Sequence, residues 1–347
     1  MPTLRLSSKP EDLARAAEIL RSGGLVAFPT ETVYGLGANA LDSAAVARIF
    51  AAKQRPAWDP VIVHIAARSQ LEQVATEIPP AADRLITNFW PGPLTLLLPR
   101  SSAIPDAVTA GRSLVGVRMP AHPAAFELIR LAGVPIAAPS ANRFGHISPT
   151  TAEHVLADLD GRIDAVVDAG PTLHGVESTV LDPAQDPILI YRPGAVTLEQ
   201  VRAVAGPAIP YEPDPKSKRT ESPSPGVGIR HYAPHARLIL IEAPDTEIPA
   251  ALAHAAASHA HARIGILLPE EFAQPVLSRQ VRQILPPSAV IFDWGSWATP
   301  EELARSLYAG LRDLDAAGCD LILCPLPPAE GIGTALRDRL QKAARES

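Results

Sequence analysis

The fold is decided by the stretch Leu25-Val26-Ala27-Phe28-Pro29-Thr30-Glu31-Thr32-Val33-Tyr34-Gly35-Leu36-Gly37. Its first four residues are an apolar run, which predicts a short buried strand. The residues that follow combine two threonines, a carboxylate, a phenol and two glycines. Polar loops that follow such strands are where α/β proteins bind their ligands. By itself the stretch fits either an ordinary surface turn or a ligand-binding loop, and the rest of the chain has to decide between them.

The composition indicates an ordinary globular protein of two domains. The chain has 347 residues, of which 47% are hydrophobic and 20% are charged, so it can bury a sizeable core. The formal net charge is −6, which argues against binding nucleic acid through bulk positive charge but leaves room for a local basic pocket. Two cysteines, Cys319 and Cys324, are too few for a disulfide framework, and we expect both to be buried small hydrophobic residues.

Nothing in the sequence indicates secretion or a membrane span. Residues 1–10 lack the apolar segment of a signal peptide. No apolar run reaches the length that crosses a bilayer. We therefore expect a cytoplasmic protein.

The pattern of strands and helices changes after about residue 206. Before it, short apolar runs alternate irregularly with helical stretches, which predicts a mixed sheet in a first domain, 1–206. Residues 207–236 are rich in proline and charge without apolar periodicity, and read as a linker. The third part, 237–347, alternates strictly between strand and helix, which predicts a smaller doubly wound, Rossmann-like parallel domain. Its strands are expected at 238–241, 264–268, 290–292 and 321–324, with helices near 248–260, 271–283, 300–316 and 333–345.

Several cations stand directly after predicted elements. Lys53 and Arg55 follow a helix that Pro56 terminates, where they could interact with the helix dipole or bind a polyanion. Arg118 ends a strand and fits either a rim salt bridge or a clamp on a carboxylate. His64 lies in a strand, where a satisfied core histidine is the simpler interpretation.

Hydroxyl and amide groups follow other strands. Ser140 and Asn142 come after the run 135–138, without a G-x-S-x-G elbow or an evident triad, so we interpret Ser140 as a binding hydroxyl. The polar loop 174–179 enters a strand and Arg192 closes another. No metal-ligand spacing and no P-loop is present. Together these groups predict a cationic pocket suited to a phosphate-bearing ligand plus a small zwitterion.

Four motifs resemble the Sua5/YrdC family, specifically its two-domain type. They are Pro-Thr-Glu-Thr-Val-Tyr-Gly-Leu-Gly at 29–37, Lys-x-Arg-Pro at 53–56, Ser-Ala-Asn at 140–142, and a linker that runs from Ser-Pro-Gly to Arg-His-Tyr-Ala-Pro at 224–234. The resemblance spans the whole chain. It implies a YrdC-like first domain with a mixed twisted sheet, followed by the Sua5-type C-terminal α/β domain.

The resemblance also implies a reaction. Family members are L-threonylcarbamoyladenylate synthases, nucleotidyltransferases that convert L-threonine, bicarbonate and ATP to threonylcarbamoyl-AMP and pyrophosphate. The product serves the t6A modification, at position 37, of tRNAs that read ANN codons. Such a reaction needs cations on the phosphates and close positioning more than covalent catalysis. Mg²⁺ is expected to accompany ATP.

By family motif, roles fall on particular residues. Catalysis would depend on Lys53, Arg55, Ser140 and Asn142, with the first two facing the triphosphate. The nucleotide would also be lined by Asp59, Leu114 through its backbone, Ser148 and Arg192. Threonine would be surrounded by Thr32, His64, Arg118, Ala138 and Ser178, with Arg118 on its carboxylate. No residue is assigned to hold a metal.

The sequence departs from the family pattern at two places. Asp59 stands where the family usually has asparagine, and a carboxylate there would repel phosphates unless it binds Mg²⁺ or a neighbouring cation. Residues 227–229 replace part of the usual linker motif and remove a cation. A linker that folds over the site as a lid would therefore act through Arg230, His231, Tyr232 and His235, of which the two histidines and the tyrosine would bind the nucleotide.

Two other functions compete with the synthase. A non-catalytic RNA-binding module on a YrdC-like fold is disfavoured by the net charge and the sparse aromatic residues. Carbamoyl transfer, as in related domains of hydrogenase-maturation proteins, is weakened by the absence of their zinc-finger cysteines. The expected partners are small-molecule substrates and a downstream tRNA threonylcarbamoyl transferase complex, while direct tRNA binding stays open.

Overall fold

The computed structural model describes residues 2–212, 231–259, 261–273 and 288–345. The chain divides into two compact units. The first consists of Met1–Phe144 and Ser148–Ile229, and the second of Gly145–Ile147 and Arg230–Ser347. The domain boundaries drawn from the sequence stay a prediction, because most of the proposed linker, 213–230, lies outside the described residues.

The first unit is built on a single mixed sheet. Its described strands are β1 (Leu4–Ser7), β2 (Val26–Pro29), β3 (Tyr34–Asn39), β4 (Val63–His64), β5 (Leu94–Pro99), β6 (Leu114–Arg118), β7 (Ile136–Ala137), β8 (Ala165–Asp168), β9 (Thr179–Asp182), β10 (Ile188–Arg192) and β11 (Ala208–Pro210). Within residues 2–212 they form an eleven-stranded sheet in the order β1-β8-β2-β3-β7-β4-β6-β5-β9-β10-β11. Parallel and antiparallel pairs both occur: β4 runs parallel to β6 and antiparallel to β7. The prediction of a mixed sheet is confirmed.

Helices cover both faces of this sheet. They are α1 (Pro10–Arg21), α2 (Ser43–Lys53), α3 (Arg68–Val74), α4 (Pro80–Phe89), α5 (Asp106–Thr109), α6 (Pro123–Ala132), α7 (Ala152–Leu159) and α8 (Leu198–Ala205). Apolar residues of α1 and α6 pack with Val26 and Phe28 in one core layer. Residues of α2, α3, α4 and α7 belong to the other layer, which includes Leu25 and Ala27. Adjacent residues of one strand therefore serve opposite layers, as the pleat requires.

The stretch 29–37 is only partly a loop, contrary to the sequence interpretation. Thr30–Val33 form the turn, whereas Tyr34–Asn39 form β3, which pairs antiparallel with β2. A Cβ at Gly37 would lie 2.7 Å from the ring of Phe28 and 2.9 Å from Ile136. The glycines thus permit close packing within the sheet, and a glycine-rich strand carries little of the usual strand signal.

Other elements were missed from the sequence. The strands β1 and β11 and the helices α3, α4 and α5 were not predicted. The strand β11 lies inside the predicted linker, because Ala208–Pro210 pair in parallel with β10. The first sheet therefore extends beyond residue 206. Pro207 precedes β11 and Pro210 is its last residue, which is why the segment read as a linker.

The second unit carries a smaller parallel sheet. Its described strands are β12 (Arg237–Ile241), β13 (Ile264–Pro269), β14 (Val290–Gly295) and β15 (Leu321–Pro325), and its described helices are α9 (Ile248–Ser258), α10 (Glu270–Ala273), α11 (Pro300–Ala316) and α12 (Gly333–Ala343). The strand order is β12-β15-β13-β14 and each described pair is parallel, which confirms the doubly wound prediction. Of the helix expected at 271–283, only the start is described. Cys319 and Cys324 are buried and free, as expected.

Among the described residues, we find no helix whose length and apolar character would let it cross a bilayer.

Candidate functional site

The turn between β2 and β3 is polar but buried. Thr30, Glu31 and Thr32 are each at most 4% exposed. The Thr30 hydroxyl donates to the carbonyl of Val33 at 2.6 Å and accepts from the backbone N–H of Thr32 at 3.2 Å. A buried turn that holds its own polar groups in this way is not the surface turn that the sequence left open.

Arg118, at the end of β6, reaches this turn. Its Nη2 lies 2.6 Å from Oε1 of Glu31 in a buried ion pair. Its Nη1 donates to the Thr32 hydroxyl at 2.9 Å, and its Nε donates to the Gly92 carbonyl at 3.2 Å. Arg118 is 4% exposed, so its ion pair is buried and is not a salt bridge on the rim, while the clamp on a ligand carboxylate stays a prediction.

His64 lies beside Arg118, since the two are paired between β4 and β6. Burial, followed by the charge of Arg118, lowers the pKa of His64 to about 3. Burial alone would raise the pKa of Glu31, but the charge and hydrogen bond of Arg118, together with the backbone N–H groups of Glu31 and Ala121, outweigh burial and leave the pKa below its ordinary value. At neutral pH this part of the site therefore holds a cation, an anion and a neutral imidazole.

Lys53 is the last residue of α2, a helix capped at its start by Asp42, which accepts from two backbone N–H groups. The ammonium group donates to the carbonyl of Ser140 at 2.5 Å and to that of Asn142. Lys53 is 1% exposed, and burial together with the nearby Arg55 holds its pKa well below the ordinary value. The ammonium group bonds another segment, so interaction with its own helix dipole does not explain this lysine.

Arg55 and Asp59 form a second buried ion pair, with Nη2 and Oδ2 2.9 Å apart. Arg55 also donates to the backbone carbonyls of Asp59 and Pro60, which fixes the proline-bounded loop. Burial raises the pKa of Asp59, against the charges of Arg55, Lys53, Arg112 and Arg192. The Asp59 carboxylate, which departs from the family pattern, is thus paired with Arg55 and lies near four basic side chains in all.

The segment after β7 joins this cluster to the turn. Ser140 forms a bridge with Gly35, and the amide of Ala138 donates to the Ile62 carbonyl at 2.8 Å. Asn142 is buried, and its side-chain amide donates to the Arg143 carbonyl at 2.8 Å. Farther along, the Ser148 hydroxyl donates to Oε1 of Glu177 at 2.6 Å.

Arg192 and Ser178 form another buried pair among the predicted site residues. Arg192 donates from Nε to the Ser178 carbonyl and from Nη2 to its hydroxyl, both at 3.1 Å. The same hydroxyl lies 2.8 Å from that of Thr95. A Cβ at Gly194 would lie 2.4 Å from the amide nitrogen of Thr179, so only glycine lets this turn pack directly on the Ser178 backbone.

Two further segments hydrogen-bond to the turn at 30–33 or to the start of β3. His174 and Gly175 donate their backbone N–H groups to the carbonyls of Glu31 and Thr32, at 2.8 and 3.1 Å. Tyr34 donates to the Pro149 carbonyl at 2.9 Å and accepts from the amide of Ala141 at 2.8 Å. Leu114 begins β6 and packs against Ile62, Leu97 and Val180. The predicted site residues of the first unit therefore belong to a connected set of loops and strand ends.

The predicted lid residues lie in the second unit. Tyr232 is 2% exposed and has a left-handed backbone, with φ at 64°. Its ring stacks on that of Tyr308 at 5.9 Å, and the Arg339 guanidinium lies 5.2 Å from it. His231 contacts Tyr232, and His235 contacts His146 of the same unit. Their role toward a nucleotide stays a prediction, and Arg230 with 227–229 lies outside the described residues.

Sequence reasoning assigned no role to four residues that the geometry brings into the site: Glu31, Thr95, Arg112 and Glu177. Glu31 and Glu177 carried a signal, since each directly precedes a residue that was assigned, Thr32 or Ser178. Thr95 is an inward position of an apolar strand and carried none. Arg112, which shares the electrostatic environment of Asp59, stands in a turn with no distinguishing pattern.

The fold and the site define a two-domain α/β protein with a buried cationic site. Comparison with known proteins agrees with this two-domain architecture. The family model described as "Telomere recombination" matches residues 18–194, and the model described as "Threonylcarbamoyl-AMP synthase, C-terminal domain" matches residues 196–345. The chain belongs to the Sua5/YrdC family, and to those members that carry both domains.

Relatives in distant organisms match nearly the whole chain. A protein of Pyrococcus abyssi named threonylcarbamoyl-AMP synthase is 44% identical over 95% of this chain and 93% of its own length. One of the same name from Bacillus subtilis is 45% identical over 99% and 95%. The crystal structure of P. abyssi Sua5 in complex with L-threonine has a TM-score of 0.90 to this chain, with 41% identity over 99% of this chain and 97% of that one.

Proposed function

We propose that this protein is an L-threonylcarbamoyl-AMP synthase, which makes threonylcarbamoyl-AMP and pyrophosphate from L-threonine, bicarbonate and ATP. The observation that carries the proposal is the buried set of basic side chains in the first unit, Lys53, Arg55, Arg118 and Arg192, held by backbone carbonyls, carboxylates and hydroxyl groups from separate strand ends. Named synthases that match more than nine-tenths of this chain support it and disfavour the RNA-binding alternative.

Threonine is proposed to bind at the turn. Arg118 would receive the carboxylate, because its guanidinium has five N–H donors and is already held in place by Glu31, Thr32 and Gly92. Thr32, His64, Ala138 and Ser178 would surround the rest of the amino acid. A neutral His64 can accept a hydrogen bond from an amine or a hydroxyl without repelling a cation.

ATP is proposed to bind where the second ion pair lies. Lys53 and Arg55 would face the triphosphate, and Asp59, Leu114, Ser140, Asn142, Ser148 and Arg192 would line the nucleotide. In the structure Lys53 bonds backbone carbonyls and Arg55 bonds Asp59. The phosphate oxygens of ATP would compete with the backbone carbonyls for Lys53 and with Asp59 for Arg55. They would win because a triphosphate carries more negative charge than a carbonyl or a single carboxylate. A lid formed by His231, Tyr232 and His235 is part of the proposal.

The chemistry follows from this arrangement. The amine of threonine combines with the carbon of bicarbonate to give a carbamate, with loss of water. A carbamate oxygen then attacks the α-phosphorus of ATP, a P–O bond forms, and the bond to the β-phosphate oxygen breaks to release pyrophosphate. Lys53 and Arg55 stabilise the charge that develops on the phosphates, and the ion-paired loops keep both reactants in line.

Mg²⁺ enters the proposal only as a companion of the ATP phosphates. Asp59 is engaged by Arg55, and the described residues contain no group of three or more histidine, cysteine, aspartate or glutamate side chains placed to hold a metal. We also propose that the product passes to a tRNA threonylcarbamoyl transferase complex for the t6A modification. The cytoplasmic location and any direct tRNA contact stay predictions from the sequence.

Pyrophosphate release tests the proposal directly. The full-length protein is incubated with ATP and bicarbonate, with and without L-threonine, and compared with Lys53→Met. We expect release that requires threonine and falls by about a hundredfold or more in the variant, as when one transition-state charge contact is removed. Lys9→Met, at an exposed lysine beside α1, is the matched control and should keep full activity. Release that does not depend on threonine would contradict the proposal.

A further inference from the structure

Glu31 holds Arg118 without being among the residues assigned to threonine. The guanidinium group has five N–H donors. Three contacts fix its plane: the ion pair with Glu31, the bond to Thr32 and the bond to the Gly92 carbonyl. Donors remain for an incoming carboxylate, but their direction depends on where Glu31 holds the group.

Glu31 is itself fixed on two sides. Its Oε2 accepts from the backbone N–H of Ala121 at 3.1 Å, while Oε1 faces Arg118. Its backbone carbonyl accepts from His174 at 2.8 Å. The carboxylate is 6% exposed at its side chain, so it is held by the fold and cannot turn away into solvent to make room for a ligand.

The charges of the Arg118–Glu31 pair also balance. Arg118 carries a positive charge and Glu31 a negative one, and the adjacent His64 is neutral. A zwitterion adds no net charge to such a buried pair, whereas a simple carboxylate would leave an uncompensated negative charge. The pair therefore matches a free α-amino acid better than its analogue without the amine.

We propose that Glu31 is the positioning residue of the amino-acid subsite, which orients Arg118 for the carboxylate and makes the subsite selective for a zwitterion. The proposal rests on the proposed function for the identity of the amino acid. It assigns Glu31 no contact with the reacting atoms, so it predicts an effect on threonine binding and not on the nucleotide.

Binding calorimetry with full-length Glu31→Gln tests this. We expect the Kd for L-threonine to rise about tenfold or more, and the Kd for ATP to change less than about threefold, since only one charge partner of Arg118 is lost. The second readout is 3-hydroxybutyrate, which is threonine without its amine. In the variant the subsite gains a net positive charge, so the preference for threonine over 3-hydroxybutyrate should shrink by about tenfold. A purely structural lesion would weaken both ligands equally.

Controls separate the outcomes. Glu18→Gln removes a carboxylate that pairs with Arg21 on the surface of α1 and should leave every Kd unchanged. Glu31→Asp keeps the negative charge, but its side chain is one methylene shorter and cannot hold Arg118 at the same distance. Threonine should therefore bind more weakly, with the preference for a zwitterion retained. This variant replaces Glu31→Gln in the test if the glutamine variant does not fold. An unchanged threonine Kd, or an equal loss for threonine and ATP, would overturn the inference. A wild-type protein that binds threonine but releases no pyrophosphate from ATP would instead contradict the proposed function.

Discussion

At the scale of single residues, His64 gives a stability prediction. Its pKa is about 3 in the folded protein, against about 6.5 in an unfolded chain. Between these values the unfolded state binds more protons, so the contribution of His64 makes stability fall as the pH is lowered through 6.5. Going from about pH 7.5 to about pH 5, wild type should lose about 2 kcal/mol more than His64→Gln. Urea unfolding of both proteins at the two pH values measures this.

The control for this prediction is His254→Gln, at an exposed histidine of α9. Its acid dependence should match that of wild type. An equal loss of stability in wild type and His64→Gln on acidification would show that the imidazole is not held neutral in the fold.

Asp59 gives a second prediction at this scale. Asp59→Asn removes a negative charge from among nearby basic side chains, so the KM for ATP should fall by about tenfold or more, since a unit charge about 12 Å from a phosphate is worth about 1.4 kcal/mol at an effective dielectric constant of about 20. The ligand-free protein should also unfold at a lower temperature, because Arg55 loses its buried ion pair. Steady-state kinetics and thermal unfolding test the two parts, with Asp106→Asn, at an exposed carboxylate, as the control. A higher KM would mean that the carboxylate takes part in nucleotide or metal binding.

The site shows what single residues reveal before a structure is known. Lys53, Arg55 and Arg118 could be picked out because charged groups next to apolar strands and helix ends are conspicuous in a sequence. Their partners could not. Glu31 and Arg118 are 87 positions apart, and their ion pair exists only because β6 brings one to the turn that carries the other.

At the scale of elements, the turn after β10 controls the position of Ser178. Gly194→Ala would place a Cβ 2.4 Å from the Thr179 nitrogen and 2.5 Å from the Glu177 carbonyl, both backbone atoms that cannot move aside cheaply. We expect a loss of about 1–3 kcal/mol in unfolding free energy and a raised KM for threonine, since Ser178 must shift. Chemical denaturation and kinetics measure both.

Gly116→Ala is the matched control for that change. The added Cβ in β6 would lie no closer than 3.4 Å to a neighbouring atom, an ordinary contact. It should change stability and KM little. If Gly194→Ala and Gly116→Ala changed stability and KM to the same extent, the close packing of the turn on Ser178 would not explain the effect of Gly194→Ala.

Elements with a regular pattern could be predicted and the others could not. The helix at 300–316 coincides with α11, because proline and two acidic residues begin it and an apolar face runs its whole length. The strand β3 was missed because its glycines and asparagine are poor strand formers, and its place is set by packing on Phe28 and Ile136. Tertiary contact overrode local propensity there.

At the scale of the whole molecule, the strand order places β1 and β11 at opposite edges of the large sheet. Deleting residues 2–8 would remove the buried Leu6 and leave the backbone of β8 unpaired along the side that β1 covers. We expect a loss of about 2–4 kcal/mol in unfolding free energy from the apolar side chain alone, together with self-association through the new edge. Denaturation and light scattering measure the two effects.

Arg5→Ala separates the strand from its ion pairs. Arg5 pairs with Glu153 and Asp168, but its side chain is half exposed, so water screens both pairs and the loss of Arg5 should change stability far less than the deletion does. If Arg5→Ala reproduced the effect of the deletion, the strand β1 would contribute to stability only through the ion pairs of Arg5.

The buried ammonium group of Lys53 has a consequence for calorimetry. Burial favours its uncharged form, whereas bound phosphate would favour the charged one. Nucleotide binding should therefore draw a proton from solution at any pH that lies between the lowered pKa and the pKa in the complex. The heat of binding would then include the ionisation heat of the buffer. When ATP is titrated in several buffers, the measured binding enthalpy should rise linearly with the ionisation enthalpy of the buffer, and the slope gives the number of protons taken up. In Lys53→Met that slope should be close to zero.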